Sequence, residues 1–403
     1  MSLQKTLAKK TLVIIGLNSG TSADGLDMAA LRFAQSRRGT AIELLGGRTR
    51  TFDPDLRRAI LRTADAADVT FRQLIHLDNM LGMFFGRTAA SFVRSLAARG
   101  VVVDAIASHG QTVSHLPGKT KIGKYSVHGT LQLGSPEQIS ALTGKPVIAD
   151  FRQADVALGG EGAPITVEAM RRLCAHRSEP RLIVNIGGMA NYFYFPTGRN
   201  HTNVRAADCG PGNVLCDLLS RRLFGEKYDR SGRRACSGTV SDTLLARLRR
   251  QRPFRELRPS VGREDFGPKL VARILRLAER LGLDKSDLMA TVAELTVASI
   301  VKRVRPIIRR DAGVRKLYLT GGGSRNKFFM QRLQAVLPGV GVSTVRDLGL
   351  DPDLAEAACF AVLGYATLRS DPMPTRFDGR RRRPLRPILG KIVQPPQKNV
   401  NHG

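Results

Sequence analysis

The segment Gly16–Asp27 combines small residues, hydroxyls and two carboxylates, a set that could bind phosphate. Its sequence, GLNSGTSADGLD, lies between two apolar runs that read as strands, so it predicts a hairpin tip. Small residues let the backbone N–H groups of such a tip approach a phosphate closely. Asp24 and Asp27 would then serve a metal ion or a proton transfer. The alternative is an ordinary glycine-rich turn, since the sequence has neither a P-loop motif nor a dinucleotide-binding fingerprint.

A second candidate site is Asp208–Asn213, DCGPGN. Its Gly-Pro-Gly sequence predicts a helix from Pro211 to Phe224, whose first N–H groups would favour an anion. Asp208 would then be either a helix N-cap or a site residue. Gly212 and Asn213 could add amide contacts to a phosphate.

Two further glycine-rich segments follow predicted strands. Gly321–Asn326, GGGSRN, precedes a predicted helix. Its three glycines are either a plain strand-to-helix loop or a flat surface under a nucleobase or ribose. Gly187–Gly188, in NIGGMAN, is either a plain hairpin turn or a second phosphate contact.

Polar side chains elsewhere could bind an organic ligand. His109 and Gln111, in SHGQT at the predicted end of the strand Val101–Ser108, suit hydrogen bonding, although a lone histidine can equally be structural. Arg152 suits a ligand carboxylate or a helix-end ion pair. Glu356 lies in the apolar sequence AEAACFAVLGYA. A buried glutamate is costly unless it is paired or used, so we predict a site residue there.

The elements that would position these residues form two similar series. A strand–glycine turn–strand pattern occurs at residues 11–33 and again at 181–195, each time followed by helices and further strands. The fold class predicted is therefore α/β, with two similar lobes that each offer a glycine turn to a central cleft. We place the lobes at residues 1–150 and 151–403, and expect the helix near 355–370 to join the first.

Composition limits the class of protein. The chain has 403 residues, 42% of them hydrophobic, which predicts two domains. No apolar run is long enough for a membrane span, and the basic N-terminus lacks the apolar stretch of a signal peptide. The five cysteines form no CxxC pair, which favours reduced thiols and a cytoplasmic location.

The charge is strongly positive, with 64 Lys and Arg against 34 Asp and Glu, a net +30. Such a charge attracts polyanions. The cations are nevertheless spread along the chain, apart from the run Arg380–Arg383, and aromatic residues are only 5%, so stacking platforms for nucleic acid are not evident. Incidental surface basicity and polyanion binding both remain open.

In combination, the motifs resemble those of the anhydro-N-acetylmuramic acid kinases, in the actin/hexokinase superfamily with its ribonuclease H-like lobes. The resemblance covers residues 11–393. It rests on ten segments: SGTSADGLD (19–27), SHGQTVSHLP (108–117), LQLGSPEQIS (131–140), DFRQADVALGGEGAP (150–164), NIGGMAN (185–191), DCGPGN (208–213), GREDFG (262–267), GGGSRN (321–326), EAACFA (356–361) and LGKI (389–392).

The resemblance implies that ATP, with Mg²⁺, phosphorylates O6 of 1,6-anhydro-N-acetylmuramic acid while water opens the anhydro bridge, in cell-wall recycling. It implies that Asp208 is the base that activates this water. The implied nucleotide and phosphate residues are Gly20, Thr21, Ser22, Asp24, Gly25, Asp27, Gly187, Gly188, Gly210, Gly212, Asn213, Gly321, Gly322, Gly323 and Asn326. Asp24 and Asp27 would organise Mg²⁺ and its waters. His109 and Glu356 would face the sugar, and Arg152 its lactyl carboxylate.

The chain departs from the family pattern in four places. Cys209 replaces the usual threonine, Glu161 the usual glutamine, Glu168 stands near the usual histidine, and GRRRRPLRP replaces the motif before LGKI. Because these changes concern the sugar side more than the ATP side, a same-fold kinase for another anhydrosugar is the alternative. A nucleotide-dependent polyanion binder is a further one. We expect a small anhydrosugar as partner, no membrane and no nucleic acid; a homodimer stays open.

Overall fold

The computed structural model describes residues 3–37, 39–66, 68–198, 203–256, 265–375 and 386–396. The strands are β1 (Thr11–Ser19), β2 (Gly25–Ser36), β3 (Gly39–Thr51), β4 (Ala105–Ile122), β5 (Tyr125–Leu133), β6 (Val147–Ala149), β7 (Arg181–Ile186), β8 (Met189–Phe195), β9 (Arg205–Pro211), β10 (Lys316–Thr320), β11 (Gly341–Thr344) and β12 (Lys391–Val393). Both sheets that they form are mixed.

Helices cover the faces of these sheets. They are α1 (Leu3–Leu7), α2 (Pro54–Asp65), α3 (Phe71–Ala97), α4 (Pro136–Thr143), α5 (Gln153–Ala157), α6 (Val167–Cys174), α7 (Val214–Phe224), α8 (Arg233–Cys236), α9 (Asp242–Arg249), α10 (Arg252–Arg255), α11 (Pro268–Arg280), α12 (Lys285–Arg310), α13 (Lys327–Val336) and α14 (Ala355–Leu368). Short 3₁₀ turns lie at Arg230–Gly232, Gly322–Arg325 and Val345–Leu348. None of the described helices is both long and apolar enough to cross a membrane.

The chain's internal contacts divide it into two compact units. Unit 1 comprises residues 1–173, 354–376 and 382–403, and unit 2 comprises 174–353 and 377–381. The division falls between Leu173 and Cys174, at the last residue of α6, and not at the predicted residue 150. The ion pair between Arg172 and Asp371, at 2.6 Å, joins α6 to the segment that follows α14. The tail returns to unit 1 because β12 pairs with β6.

The sheet of unit 1 has the order β12-β6-β4-β1-β2-β3, and β5 pairs with β4. β1, β2 and β3 form an antiparallel meander, and β4 joins β1 in parallel. All of β1 after Thr11 is buried because both faces of the sheet are covered. Val13, Ile15 and Leu17 pack in the core formed with α3.

α14 covers the opposite face of this sheet. Gly16 allows that close approach, because a Cβ at this position would lie 1.8 Å from the carbonyl oxygen of Ala357. Tyr365 stacks on Phe33 of β2, with ring centroids 4.4 Å apart, which fixes the helix further along the same face.

The sheet of unit 2 has the order β11-β10-β7-β8-β9. β7, β8 and β9 form an antiparallel meander, and β10 joins β7 in parallel. The main core packs this sheet against α12, most of whose first 20 residues are buried.

The two sheets therefore share one strand order: a three-stranded meander whose first strand also pairs with a parallel strand on its other side. This confirms the predicted α/β class with two similar ribonuclease H-like lobes. It also confirms the predicted recurrence of the hairpin, at β1–β2 and at β7–β8.

Two predicted boundaries are wrong. The predicted strand Val101–Ser108 instead runs from Ala105 to Ile122, because residues after Gln111 continue to pair with β5. Asp208 and Pro211 lie in strand β9, which pairs with β8, and the helix begins only at Val214. The sequence DCGPGN reads as a helix start, but tertiary pairing holds its first four residues extended.

Candidate functional site

In unit 1, the hairpin turn follows the end of β1, where its parallel pairing with β4 also ends, at Ser19 and Gln111. Ligands of α/β proteins bind at this edge of the sheet. Ser19 Oγ donates to Gln111 Oε1 at 2.5 Å, and Gln111 Nε2 donates to the carbonyl of Gly20 at 3.2 Å. Gln111 is 1% exposed. Gln111 therefore holds the hairpin in place. The sequence had suggested a contact with a ligand instead.

Asp24 and Asp27 lie on the two sides of Gly25 and have different surroundings. Asp24 Oδ1 lies 3.5 Å from Arg57 Nη2, whereas Asp27 Oδ1 accepts a 2.6 Å hydrogen bond from the hydroxyl of Thr49. Among the described residues, no group of three or more His, Cys, Asp or Glu side chains could hold a metal ion. At the tip, Thr21 is exposed and Ser22 is half-buried.

The three predicted sugar-side residues form one group. Arg152 donates from Nε to His109 Nε2 at 3.0 Å and from Nη1 to the carbonyl of Gly162 at 2.7 Å. Glu356 interacts electrostatically with Arg152, and its Oε2 accepts a hydrogen bond from Asn18 Nδ2 at 2.9 Å. The structure thus brings His109, Arg152 and Glu356 together beside the end of β1.

The group holds its histidine neutral. Burial lowers the pKa of His109 well below its usual value, and the Arg152 guanidinium lowers it further. A backbone hydrogen bond with Gly110 raises the pKa of His109, but it is outweighed by burial and Arg152. Because Nε2 accepts from Arg152, the ring proton sits on Nδ1, which is buried. Phe360 stacks on the ring with centroids 4.5 Å apart, so the orientation of this donor is fixed. Burial also lowers the pKa of Arg152, to about 10, against the opposing charge of Glu356.

Glu356 is exposed, which corrects the expectation that it is buried. It occupies the first turn of α14, and every other residue of that helix is buried. The apolar sequence around it reflects a helix enclosed on nearly all sides. Glu356 marks the one position where α14 leaves the core.

The departures at Glu161 and Glu168 have different outcomes. Glu161 is exposed. Glu168 is buried and accepts two hydrogen bonds from Arg171, at 2.7 and 2.8 Å, and one from Arg172, at 3.1 Å. Burial alone would raise the pKa of Glu168, but these two arginines outweigh it and lower the pKa. Glu168 is therefore a structural anchor of α6.

His115 is a residue that sequence reasoning missed. It lies on β4, four residues after Gln111. Both ring nitrogens are buried without a hydrogen-bond partner among the described residues. Burial and the charge of Arg152 lower its pKa. The signal was present in SHGQTVSHLP, which contains both histidines, but only their common neighbour Arg152 connects them.

In unit 2, the glycine segments at 187–188 and 212–213 pack against each other. The N–H groups of Gly212 and Asn213 donate to the carbonyls of Gly188 and Gly187, at 2.9 and 2.8 Å. A Cβ at Gly212 would lie 2.3 Å from the Gly187 carbonyl oxygen. These two N–H groups, from which phosphate contacts were expected, therefore donate within the protein. Asn213 Nδ2 does the same, since it donates to the Gly187 carbonyl at 3.0 Å.

Gly321, Gly322 and Gly323 follow β10 at the edge where its parallel neighbour β7 also ends. A Cβ at Gly321 would meet Asn185 Oδ1 at 2.4 Å, and one at Gly323 would meet Ile186 Cγ2 at 2.3 Å. Gly322 instead has only the Asn213 side chain at 4.0 Å. Gly322 is thus the glycine of the three with open space over it.

Asn326 has a structural role that the sequence did not indicate. Its side chain caps α13 by accepting a hydrogen bond from the N–H of Phe329 at 3.3 Å. Its Oδ1 also lies where a Cβ on Gly232 would fall, at 2.1 Å. These contacts explain why asparagine stands at this position without any ligand.

Asp208 is half-buried in β9, opposite Asn191 of β8. It is not an N-cap, since the residue before α7 is Asn213. Cys209 points into the core, and burial, followed by the charge of Asp208, raises the pKa of its thiol. The cysteine that replaces the family's usual threonine is therefore a protonated core residue, and Gly210 follows it with φ of 137°.

Comparisons with known proteins identify the family. The family model "Anhydro-N-acetylmuramic acid kinase" matches residues 12–383. The chain belongs to this family. A curated anhydro-N-acetylmuramic acid kinase from Caldanaerobacter subterraneus subsp. tengcongensis is 34% identical over 366 residues, covering 90% of this chain and 92% of the relative. The one from Salinibacter ruber is 36% identical over 389 residues, covering 92% and 94%.

Solved structures align more weakly. The activator of the 2-hydroxyisocaproyl-CoA dehydratase from Clostridium difficile, with bound ADPNP, aligns with a TM-score of 0.40 and 12% identity, over 89% of this chain and 96% of that one. Membership of the anhydro-N-acetylmuramic acid kinases, and with it the phosphotransferase class, therefore rests on the sequence relatives.

The neutral state of His109 predicts a pH dependence for this kinase. Its folded pKa lies below the unfolded value, near 6.5, so only the unfolded chain takes up the proton as the pH falls from about 6.5. The free energy of unfolding should therefore be largest above pH 6.5 and decrease below it, by up to about 1.4 kcal/mol per pH unit from this residue. Urea unfolding of the wild type and His109→Gln between pH 5 and 8 checks this. If the free energy of unfolding changed equally with pH in both proteins, the prediction would be contradicted.

Proposed function

We propose that the chain uses ATP to phosphorylate O6 of 1,6-anhydro-N-acetylmuramic acid while water opens the anhydro bridge, giving N-acetylmuramic acid 6-phosphate. The observation that carries the proposal, beyond family membership, is the His109–Arg152–Glu356 group beside the β1–β2 hairpin. It offers a donor, a cation and a carboxylate to one small polar ligand.

In this proposal each group has one task. Arg152 binds the lactyl carboxylate, for which a guanidinium is suited. The Nδ1–H of His109 and the carboxylate of Glu356 bind oxygens and hydroxyls of the sugar. In unit 1, Gly20, Thr21, Ser22 and Gly25 bind phosphate. In unit 2, Gly188 contacts phosphate and the open face of Gly322 lies under the adenosine, whereas the N–H of Gly187 already donates to the Met189 carbonyl at 3.1 Å.

The carboxylates decide where Mg²⁺ would be held. Asp27 fits this hard cation, because its carboxylate accepts from a neutral hydroxyl. Asp24 fits less well, because the guanidinium of Arg57 already neutralises it. Since the described residues hold no three-ligand cluster, phosphate oxygens and water would supply the remaining ligands. When bound, Mg²⁺ neutralises charge on the transferring phosphoryl group.

Asp208 serves as the general base. It takes a proton from water as the water oxygen forms a bond to C1 of the sugar. The bond between C1 and O6 breaks, and its electron pair stays on O6, which attacks the γ-phosphorus as ADP leaves. Phosphoryl transfer of this kind depends on positioning and charge stabilisation.

The test is incubation of the full chain with ATP, Mg²⁺ and 1,6-anhydro-N-acetylmuramic acid in ¹⁸O-labelled water. We expect the 6-phosphate to carry one labelled oxygen, at C1, by mass spectrometry. A folded protein that makes no phosphorylated sugar would refute the proposal. Product from a panel of other anhydrosugars, but not from this one, would favour the alternative of a different substrate.

Arg152→Lys tests the specificity for the lactyl group. Arg152 reaches His109 from Nε and Gly162 from Nη1, and the single nitrogen of lysine cannot reproduce this planar fork. We therefore expect KM for the sugar to rise about 10- to 100-fold and kcat to change less. KM for 1,6-anhydro-N-acetylglucosamine, which lacks the lactyl group, should change little in this variant. An equal loss with both sugars would mean that Arg152 acts only through the fold. Arg72→Lys, at an exposed position of α3, is the matched control.

Polyanion binding has one feature in its favour. Lys269, Arg273, Arg276 and Arg280 form an exposed stripe along α11, and unit 2 carries further arginines nearby on α10. Binding of the chain to duplex DNA at about 0.15 M salt would support it. Binding that disappears at that salt would leave the charge without such a role.

The cytoplasm is the proposed location. All five cysteines are unpaired, and four of them are buried, which suits a reducing compartment.

A further inference from the structure

A cavity of about 660 Å³ lies in unit 1, between β3, the start of α2 and α3. Its volume is within the range of small-molecule sites. It is on the α3 face of the sheet, because Met28 lines it and packs in the core with α3. Asp27, the neighbour of Met28, does not line the cavity, but it accepts a hydrogen bond from Thr49, which does.

Three arginines line the cavity: Arg48 and Arg50 from β3, and Arg87 from α3. Among the described residues, none of the three has a carboxylate within ion-pair distance. The carboxylate in the lining is Asp53, and its Oδ1 accepts the N–H groups of Asp55 and Leu56 as the cap of α2. Three guanidinium groups and one carboxylate therefore line the cavity, which keeps an excess of positive charge.

The rest of the lining has two kinds of surface. Met80, Met83 and Phe84 supply an apolar wall from one face of α3. Further along that face, Thr88 and Ser91 add hydroxyls beside Arg87. Met80 and Met83 are 45% and 37% exposed, so the apolar wall is open to solvent. Guanidinium groups and hydroxyls at one end and an apolar wall at the other match a ligand with the same two ends.

We propose that this cavity binds a small organic anion with a phosphate or carboxylate head and an apolar or aromatic body, and that binding is coupled to the β1–β2 hairpin. The coupling follows from strand geometry. Arg48, Thr49 and Arg50 of β3 all line the cavity, and the Thr49 hydroxyl, between the two arginines, donates to Asp27 at 2.6 Å.

The backbone adds a second connection. Gly25, in the hairpin, lies so close to β3 that a Cβ would be 2.4 Å from the Arg50 carbonyl oxygen. The N–H of Phe52 donates to the Asp24 carbonyl at 3.2 Å. A ligand held by Arg48 and Arg50 therefore restrains the strand on which the hairpin rests. The binding site depends on this geometry alone, and only the catalytic consequence of the coupling rests on the proposed function.

The test uses 1-naphthyl phosphate, an aromatic phosphate, in calorimetric titration of the full chain. We expect one saturable site. Arg87→Glu removes one charge-assisted contact and adds a repulsive carboxylate, so binding should weaken about tenfold or more. Arg87→Lys should weaken it less, and Arg72→Glu, on the same helix but away from the cavity, should change it by less than twofold. 1-Naphthol and inorganic phosphate should each bind at least tenfold more weakly.

Several results would overturn the site: no saturable binding, equal binding by the wild type and Arg87→Glu, or an equal loss in Arg87→Glu and Arg72→Glu. The coupling has its own readout, hydrogen exchange of residues 20–27. Slower exchange with 1-naphthyl phosphate in the wild type, absent in Arg87→Glu, is expected. Unchanged exchange in the wild type would refute the coupling. Neither measurement requires kinase activity, so failure of the proposed function would be seen separately.

Discussion

Asp208→Asn should reduce kcat by about 10²- to 10⁴-fold, the usual contribution of a general base. The amide is nearly isosteric but cannot take a proton from water. Because Asp208 lies in β9, paired to β8 on one side, its position depends on the sheet, and the substitution should leave the strand in place. Steady-state kinetics and ATP binding by calorimetry measure the two effects, and we expect ATP affinity to change by less than about threefold.

Asp347→Asn is the matched control, because Asp347 is an exposed aspartate in the same unit, in the 3₁₀ turn that follows β11. Its kcat should equal that of the wild type. An Asp208→Asn protein with near-normal turnover would remove Asp208 from the role of base. A variant that also lost ATP binding would indicate that Asp208 acts on the nucleotide instead.

Of the glycine-to-alanine substitutions in unit 1, we expect Gly16→Ala to destabilise the fold most. The new Cβ would lie 1.8 Å from the Ala357 carbonyl oxygen and 2.6 Å from the Ala361 nitrogen. Both are backbone atoms of α14, so only movement of the helix relieves the overlap. We expect a loss of about 3 kcal/mol in the free energy of unfolding, at the upper end for overpacking.

The same substitution should also affect activity. Glu356 precedes Ala357, so displacement of α14 would move its carboxylate away from Asn18. We expect KM for the sugar to rise in the fraction that folds. Denaturant unfolding and steady-state kinetics give the two readouts. Gly118→Ala is the control, since no atom lies within 4 Å of its Cβ. Equal stability of the two variants would contradict the role assigned to Gly16.

The sequence alone was sufficient for the fold class and for most elements. The period-two and 3.6-residue patterns predicted the hairpins at 11–33 and 181–195 and the long helices, because burial on one face forces those periods. Motif order along the chain was sufficient for the family. Single segments such as DCGPGN misled, since glycine and proline permit a helix start but pairing with β8 decided for a strand.

The tertiary structure decided which contacts each candidate residue makes within the protein. His109, Arg152 and Glu356 are far apart in the sequence, and only the fold brings them together and makes the histidine neutral. Gln111, Asn213 and Asn326 have the residue types of ligand contacts, yet their hydrogen bonds are made within the protein. Residue type and spacing determine which groups can donate, accept or carry charge. Burial and long-range partners determine which of them remain for a ligand, and neither is a property of local sequence.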